Sequence, residues 1–369
     1  KSIVKTIYRI KISHKHLLEW TTSEEAEKLG KTDLLSYYKN MLINVIAGII
    51  SIIIYIKTLS IFALLLGIIW IFIPGIMYYI SKEKEEKQKV ELLSPKEQEY
   101  ILDIGKRTWE FFENYITQEN NYLMPDNYQE DRKEKIVQRT SSTNIGLSLM
   151  AVISAHDLGY INYQKAIELI KNIVCTIQSL EKWNGHLYNW YNIKTKMPLY
   201  PRYISTVDSG NFVGYLYVLK QWLEDKENLD DIIIIVEELI KNTEFSYLYS
   251  TEHRIFSIGF NIEENKLTDS YYDLLASEAR QASLVAIAKK DVPVKHWNSL
   301  SRTLTTLGKY KGLISWSGTS FEYLMPNINI PKYKGSLLDE SCKFMIKSQM
   351  EYAKKLQIPW GISESAFNL

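Results

Sequence analysis

Two apolar runs constrain this chain more than any other feature: residues 41–56 (MLINVIAGIISIIIYI) and 58–80 (TLSIFALLLGIIWIFIPGIMYYI), with only Lys57 between them. Crossing the hydrocarbon core of a bilayer takes about 20 apolar residues. The second run reaches that length and the first falls slightly short. They read as a transmembrane helical hairpin with Lys57 snorkelling to the interface. The competing reading is a very hydrophobic helical pair inside a soluble core. A secretory signal is excluded, because the runs begin late and no small-residue cleavage site follows. Lysines crowd both outer flanks, Lys28, Lys31 and Lys39 before and Lys82, Lys84, Lys87 and Lys89 after. The positive-inside tendency then predicts both ends on the cytoplasmic face of an inner membrane, with the lipid bilayer as a partner. Residues 1–40 form a polar, amphipathic N-terminal segment, 41–80 the hairpin, and 81–93 a solvated linker carrying the mixed-charge run KEKEEKQK.

From residue 94 the chain changes character. Ser94-Pro95-Lys96-Glu97 is a capping box with proline at the first helical position. It opens an amphipathic segment with Ile101, Ile104, Trp109, Phe112, Tyr115 and Ile116 at helical spacing. The same periodicity predicts helices over 143–158, 162–181, 208–225, 229–245, 270–290, 293–308 and 336–356, with stops at Gly159 and Asp291-Val292-Pro293. Some connections are very short. Others, at 182–207, 246–268 and 309–335, are long and rich in Trp, Tyr, Asn and Gly. Alternating short and long connections predict an all-α toroid of helical hairpins, with the long loops around one functional mouth. Neither a Gly-rich phosphate loop nor βαβ alternation appears, which argues against a nucleotide-binding sheet.

Lys and Arg total 44 against 43 Asp and Glu, a formal charge of +1, and no basic patch lies outside the flanks of the hairpin. That argues against a nucleic-acid partner. The 26 Tyr, 9 Trp and 11 Phe suit either large core packing or a sugar cleft, since pyranose faces are apolar and their rims are hydroxyls. Cys175 and Cys342 lie far apart in apolar helical stretches and read as buried free thiols, as in a reducing compartment. No His, Cys or Asp cluster has metal-ligand spacing, so neither a metal nor a cofactor is expected.

Seven strings stand in order along the soluble part: LMPDNYQE at 123–130, RTSSTNIG at 139–146, GHLYNWY at 185–191, STVDSGN at 205–211, YDLLASEAR at 272–280, SWSGTSFEY at 315–323 and PWGISESAFN at 359–368. Taken together they resemble the central, glucoamylase-like cyclisation domain of cyclic β-1,2-glucan synthases. Upstream, Leu17-Leu18-Glu19-Trp20-Thr21-Thr22 also fits, since in that family such a string precedes a membrane pair. The resemblance implies an (α/α)6 barrel that closes a β-1,2-glucan ring by transglycosylation. It also implies two neighbouring domains of the same synthase, an upstream glycosyltransferase using UDP-glucose and a downstream phosphorylase-like domain. The family's barrel continues where this chain stops; eight soluble helices are counted here, and six hairpins need twelve.

Glycosyl transfer needs two carboxyl groups flanking the scissile bond. Glu278, in ASEAR near a helix start, and Glu364, in PWGISESAF after a helix, are the catalytic pair, with apolar or small neighbours. Glu278 is assigned as acid/base and Glu364 as nucleophile; the roles are interchangeable, and a buried structural carboxylate is the bland reading for each. Asp208 reads either as an N-cap or as a sugar-hydroxyl ligand. Arg139 and Asn144 either bond hydroxyls or brace their loop. Trp190, Tyr191, Trp316 and Tyr323 are candidate sugar platforms, with core packing as the rival for Trp316. Glu322 is a third carboxylate candidate, and His186 reads as incidental. The resemblance adds Tyr188, Asn211, Tyr272, Asp273, Arg280 and Trp360 as substrate-binding positions. Two other functions stay open: a hydrolytic endo-β-1,2-glucanase and a non-catalytic glucan-binding module.

Overall fold

The computed structural model describes residues 2–14, 33–81, 93–130, 132–361 and 363, and the chain divides into two compact units, Lys1–Leu92 and Leu93–Leu369. Four features of the sequence reading lie outside the described residues: the 17–22 string, Lys28 and Lys31, the charged run 82–89, and Glu364.

In the first unit, α1 (Ser2–Tyr8) leads into a π-helical turn, Arg9–Ser13, and α2 (Leu34–Asn40), α3 (Leu42–Thr58) and α4 (Ile61–Ser81) follow. The break between α3 and α4 falls at Leu59, in the left-handed region at φ 55°, so Lys57 lies in the last turn of α3 rather than between the helices. The two helices touch backbone to backbone at Gly48 and Gly67. A Cβ on Gly48 would lie 2.8 Å from the Gly67 carbonyl oxygen, and one on Gly67 would lie 2.9 Å from that of Gly48. Such small-residue contacts let apolar helices approach closely where lipid offers no hydrophobic drive. Ser51 Oγ adds a hydrogen bond to the Ala63 carbonyl at 2.8 Å. Among the described residues one helix, Ile61–Ser81, is long and apolar enough by itself to cross a membrane. Leu34–Asn40 and Leu42–Thr58 reach that length only together, and they are bent by 71°.

In the second unit, α5 (Pro95–Tyr115) begins at the expected capping box, with the Glu97 carboxylate taking the Ser94 amide at 2.7 Å. Next come α6 (Ser142–Asp157), α7 (Tyr163–Ser179), α8 (Thr206–Glu224), α9 (Asp230–Asn242), α10 (Arg280–Lys289), α11 (Lys295–Ser299), α12 (Ser320–Leu324) and α13 (Leu337–Leu356). Outer and inner helices alternate. On α7 the buried residues Ala166, Leu169, Ile170, Ile173, Val174 and Ile177 form a single stripe, whereas α8 is buried all round through its first half, from Thr206 to Leu216 apart from Asp208. α6 and α10 are inner helices of the same kind.

The inner helices run side by side and start at one level. Asn211 Nδ2 in α8 donates to Thr143 Oγ1 in α6 at 3.1 Å, and Gln281 Nε2 in α10 donates to the Asn211 carbonyl at 3.4 Å. The Arg280 guanidinium, at the start of α10, binds the Glu322 and Tyr323 carbonyls of α12 at 2.9 and 2.6 Å. Gly210 permits the tightest approach, since a Cβ there would lie 2.2 Å from the Ala282 Cβ. The long loops that enter these four helix starts therefore gather at one mouth.

Those loops correct the all-α expectation: the chain is mostly helical with short antiparallel sheets at the mouth. Arg139–Thr140 pairs with Tyr191–Asn192, Tyr203–Ser205 with Gly259–Asn261, and Tyr271–Tyr272 with residues 256–257. Pairing satisfies loop backbone that lies near the interior. Two predicted helices shrink accordingly. The one over 270–290 starts at Arg280, because Tyr271-Tyr272 joins a sheet. The one over 293–308 stops at Ser299, and Leu304–Leu307 forms a hairpin with Tyr310–Leu313 about Gly308 at φ 57°. A Thr-rich run suits a strand better than a helix. Cys342 is buried but Cys175 lies on the exposed side of α7, which corrects the expectation of two buried thiols.

Candidate active site at the mouth of the inner helices

Three of the four helices at the mouth open with a side-chain cap. Ser141, Ser205 and Thr319 accept the amides of Asn144, Asp208 and Glu322, three residues on in α6, α8 and α12. The N-cap of α8 is thus Ser205, which overturns the N-cap reading of Asp208 and frees its carboxylate for the mouth. Glu278 lies in the turn just before α10, half-buried, with Ser277 Oγ donating to its Oε2 at 3.1 Å. Four helix N-termini converge here, and their partial positive charge favours anions.

A continuous polar chain lines one wall. Asp126 accepts from Arg139 Nη2 at 3.1 Å and from Asn144 Nδ2 at 3.1 Å. The Arg139 guanidinium lies over the Trp190 ring, its carbon 3.7 Å from the centroid. With its amide oriented to satisfy both neighbours, Asn189 accepts from Trp190 Nε1 at 3.0 Å and donates to Asp208 Oδ2 at 3.0 Å. Opposite, Tyr272 is half-buried, its ring 6.2 Å from that of Trp316, which is 55% exposed. Burial raises the Tyr272 hydroxyl's pKa, and the negative charges of Glu278 and then Asp208 raise it further. Its hydroxyl therefore stays protonated, a donor beside two carboxylates.

The mouth thus brings together Arg139, Asn144, Trp190, Asp208, Tyr272, Glu278 and Trp316. Trp190 is no open platform, because Arg139 covers one face. Trp316 is no core residue.

Six other expected residues are buried and hydrogen-bonded within the fold. Tyr188 and Tyr191 are buried, and Tyr191 donates to the Glu181 carbonyl at 2.6 Å. Asn211 is 1% exposed and ties α8 to α6. Arg280 is 2% exposed with its guanidinium committed to three carbonyls, those of Ser277, Glu322 and Tyr323; burial lowers it to about 10. Tyr323 is buried and donates to the Leu313 carbonyl at 2.6 Å. Glu322 is 4% exposed and accepts from Ser315, Ser317 and Thr319. Burial alone would raise its carboxyl pKa, but these hydrogen bonds outweigh burial and hold it below the usual range. Their side chains have no free face for a sugar.

Asp273 is exposed, and its carbonyl anchors Ser301 at 2.6 Å. Trp360 is exposed beyond α13, with no hydrogen bond or ring contact to the mouth among the described residues. His186 is wholly buried between Ser209 Oγ and the Glu244 carbonyl, each at 2.9 Å. Burial pushes it down to about 4. Sequence reasoning missed Asp126 and Asn189. The only signal was their place inside two of the seven strings, each beside a nominated residue or loop.

No protein-family profile matches the chain. Among curated proteins it is similar to the cyclic beta-(1,2)-glucan synthase NdvB of Rhizobium meliloti, 28% identical in an alignment of 496 positions that takes in the whole of this chain. The chain spans 18% of the length of that relative. Among solved structures it resembles the endo-β-1,2-glucanase of Chitinophaga pinensis, at a TM-score of 0.62 and 14% identity over 73% of this chain and 70% of that one. The β-1,2-glucanase of Parabacteroides distasonis gives 0.60 and 14% over 73% and 44%. A glucoamylase-like protein of Bacteroides fragilis gives 0.62 and 14% over 76% and 71%. The chain is therefore similar along its whole length to a segment of a cyclic β-1,2-glucan synthase, and its second unit has the fold of glucoamylase-like β-1,2-glucanases.

Proposed function

We propose that this chain is the ring-closing part of a larger, membrane-tethered enzyme that makes cyclic β-1,2-glucan. One observation carries the reading: Glu278, Asp208, Tyr272 and the Arg139–Trp190 stack share one mouth, on a fold held in common with β-1,2-glucanases. Similarity to the Rhizobium meliloti synthase supports ring closure as the outcome.

A linear β-1,2-glucan lies in the mouth, held by Arg139, Asn144 and Asp208, with Trp316 under a sugar face. Glu278 protonates the leaving glycosidic oxygen while Glu364 attacks the anomeric carbon, or the two roles are exchanged. The chain's own non-reducing-end hydroxyl then gives its proton to the first residue and displaces the enzyme carboxylate. Two inversions give net retention, and no water is consumed. Direct attack sets the two carboxyls about 5–5.5 Å apart. The first unit anchors the enzyme as a hairpin in the inner membrane, both ends cytoplasmic, between glycosyltransferase and phosphorylase-like domains of the same synthase.

The structural likeness to endo-β-1,2-glucanases favours hydrolysis as the second reading. The test is a chain extended past Leu369, incubated with linear β-1,2-glucan and read by mass spectrometry. Ring closure yields products one water lighter than linear glucans of equal length. Linear products alone would establish a hydrolase, and an unchanged substrate a binding module.

A further inference from the structure

We infer that α2 is a membrane-surface helix that lies in the headgroup region and caps one end of the α3–α4 hairpin, its partner the lipid interface itself. The inference rests on the reading of α3 and α4 as membrane helices and concerns a segment that reading leaves unassigned. Three observations point to it. The first is direction: α2 turns away from α3 by 71° at Met41, too sharply to extend the same span.

The second is lateral sorting. At 100° per residue, Tyr37, Leu34, Tyr38 and Leu35 occupy one side of α2, and Lys39, Ser36 and Asn40 occupy the other. Leu34 and Leu35 are 46% and 61% exposed, so the apolar side is only partly used within the protein. An amphipathic helix of this kind settles with its apolar face about 5–10 Å into the headgroup–acyl boundary.

The third is the aromatic girdle. Tyr37 packs edge-on against Tyr78 near the end of α4, with centroids 5.8 Å apart, and the Tyr38 hydroxyl sits 3.4 Å from where a Gly75 Cβ would be. Tyr79 beside them is 77% exposed. Four tyrosines thus collect at this end of the hairpin, while the last turn of α3 at the opposite end carries only Tyr55. Tyrosine favours the water–bilayer boundary, because its ring is apolar and its hydroxyl needs a polar partner. Length agrees. The 21 residues of α4 rise about 31 Å and the 17 of α3 about 25 Å, against a hydrocarbon core of about 30 Å. The chain therefore enters the core near Met41, where α3 begins its crossing.

The test is spin-label depth by electron paramagnetic resonance on the full chain in phosphatidylcholine–phosphatidylglycerol vesicles. Single labels go at Leu35→Cys, Lys39→Cys, Ile50→Cys and Ile69→Cys, with Cys175→Ala and Cys342→Ala removing the native thiols. Labels at 50 and 69 should reach about 15 Å inside the hydrocarbon edge, the label at 35 should lie about 5–10 Å inside the headgroup boundary, and the label at 39 should be water-accessible. Equal aqueous exposure at 35 and 39, or a label at 35 as deep as those at 50 and 69, would overturn the inference while leaving the membrane reading intact. Aqueous values at 50 and 69 would overturn the membrane reading itself, and this inference with it.

Discussion

The first turns of α8 and α12 carry carboxylates at the same helical position, three residues after a hydroxyl N-cap, and the two end in opposite situations. Glu322 in α12 is buried and receives hydrogen bonds from the Ser317 and Thr319 amides and the Ser315 and Ser317 hydroxyls, at 2.9–3.1 Å. Asp208 in α8 is half-buried and takes Asn189 as a partner. The difference comes from the loop before each helix. The 315–319 loop curls back over its own helix and saturates the carboxylate. The 188–203 loop instead pairs with the Arg139 strand and leaves Asp208 near Tyr272, which also feels the charge of Glu278. One capping grammar thus builds a structural lock at one helix and part of a reactive wall at the next.

The largest effect should come from crossing that line. In an extended, active chain, Glu278→Gln should reduce transfer about 10³-fold or more, the scale of a lost acid/base, with the unfolding midpoint unchanged. Glu322→Ala should do the reverse. It should lower unfolding free energy by about 1–3 kcal/mol, because buried donors lose their acceptor, while the rate per folded molecule stays near wild type. Urea titration and glucan-transfer assays on both variants check this. A Glu322→Ala protein that is fully folded yet inactive would erase the contrast.

Acid should reveal what α8 rests on. His186, against Ser209 in its first turn, is neutral in the folded state, with its pKa lowered from 6.5 to about 4. The unfolded chain binds the proton first, so this contribution is fully present above pH 6.5 and is lost as pH falls towards 4. The loss approaches about 3 kcal/mol. Urea unfolding between pH 7 and pH 4.5 should show that slope, and His186→Gln should flatten it. An equal slope in both would locate the acid sensitivity elsewhere.

The smallest expected effect sharpens the description of the open wall. Asp126→Ala releases Arg139 and Asn144 together, and affinity for linear β-1,2-glucan should fall about tenfold, the worth of one charge-assisted hydrogen bond. Calorimetric titration of the chain reads it directly. Unchanged affinity would mean that the Arg139–Trp190 face does not meet the sugar.

The helices of the second unit were legible in the sequence wherever local signals agreed. The Ser94–Glu97 box, the apolar stripe of α7 and the stop at Gly159 each depend on residues within a few positions of one another. The candidate site was legible only in part. Glu278, Asp208, Arg139, Asn144, Tyr272 and Trp316 share the mouth, whereas Arg280, Tyr191, Asn211 and Glu322 have equally polar or aromatic side chains and are consumed by packing.

Local sequence therefore determined which segments are helical, that a long apolar pair precedes them, and that the loops carry sugar-compatible chemistry. Tertiary structure alone decided which of those side chains face the mouth. That outcome depends on contacts between residues far apart in the chain, such as Asp126 with Asn144, Asn211 with Thr143, and Arg280 with Tyr323. Burial and hydrogen-bond saturation arise only when such partners meet, and a helix cap reads the same in sequence whether its carboxylate ends up locked or free.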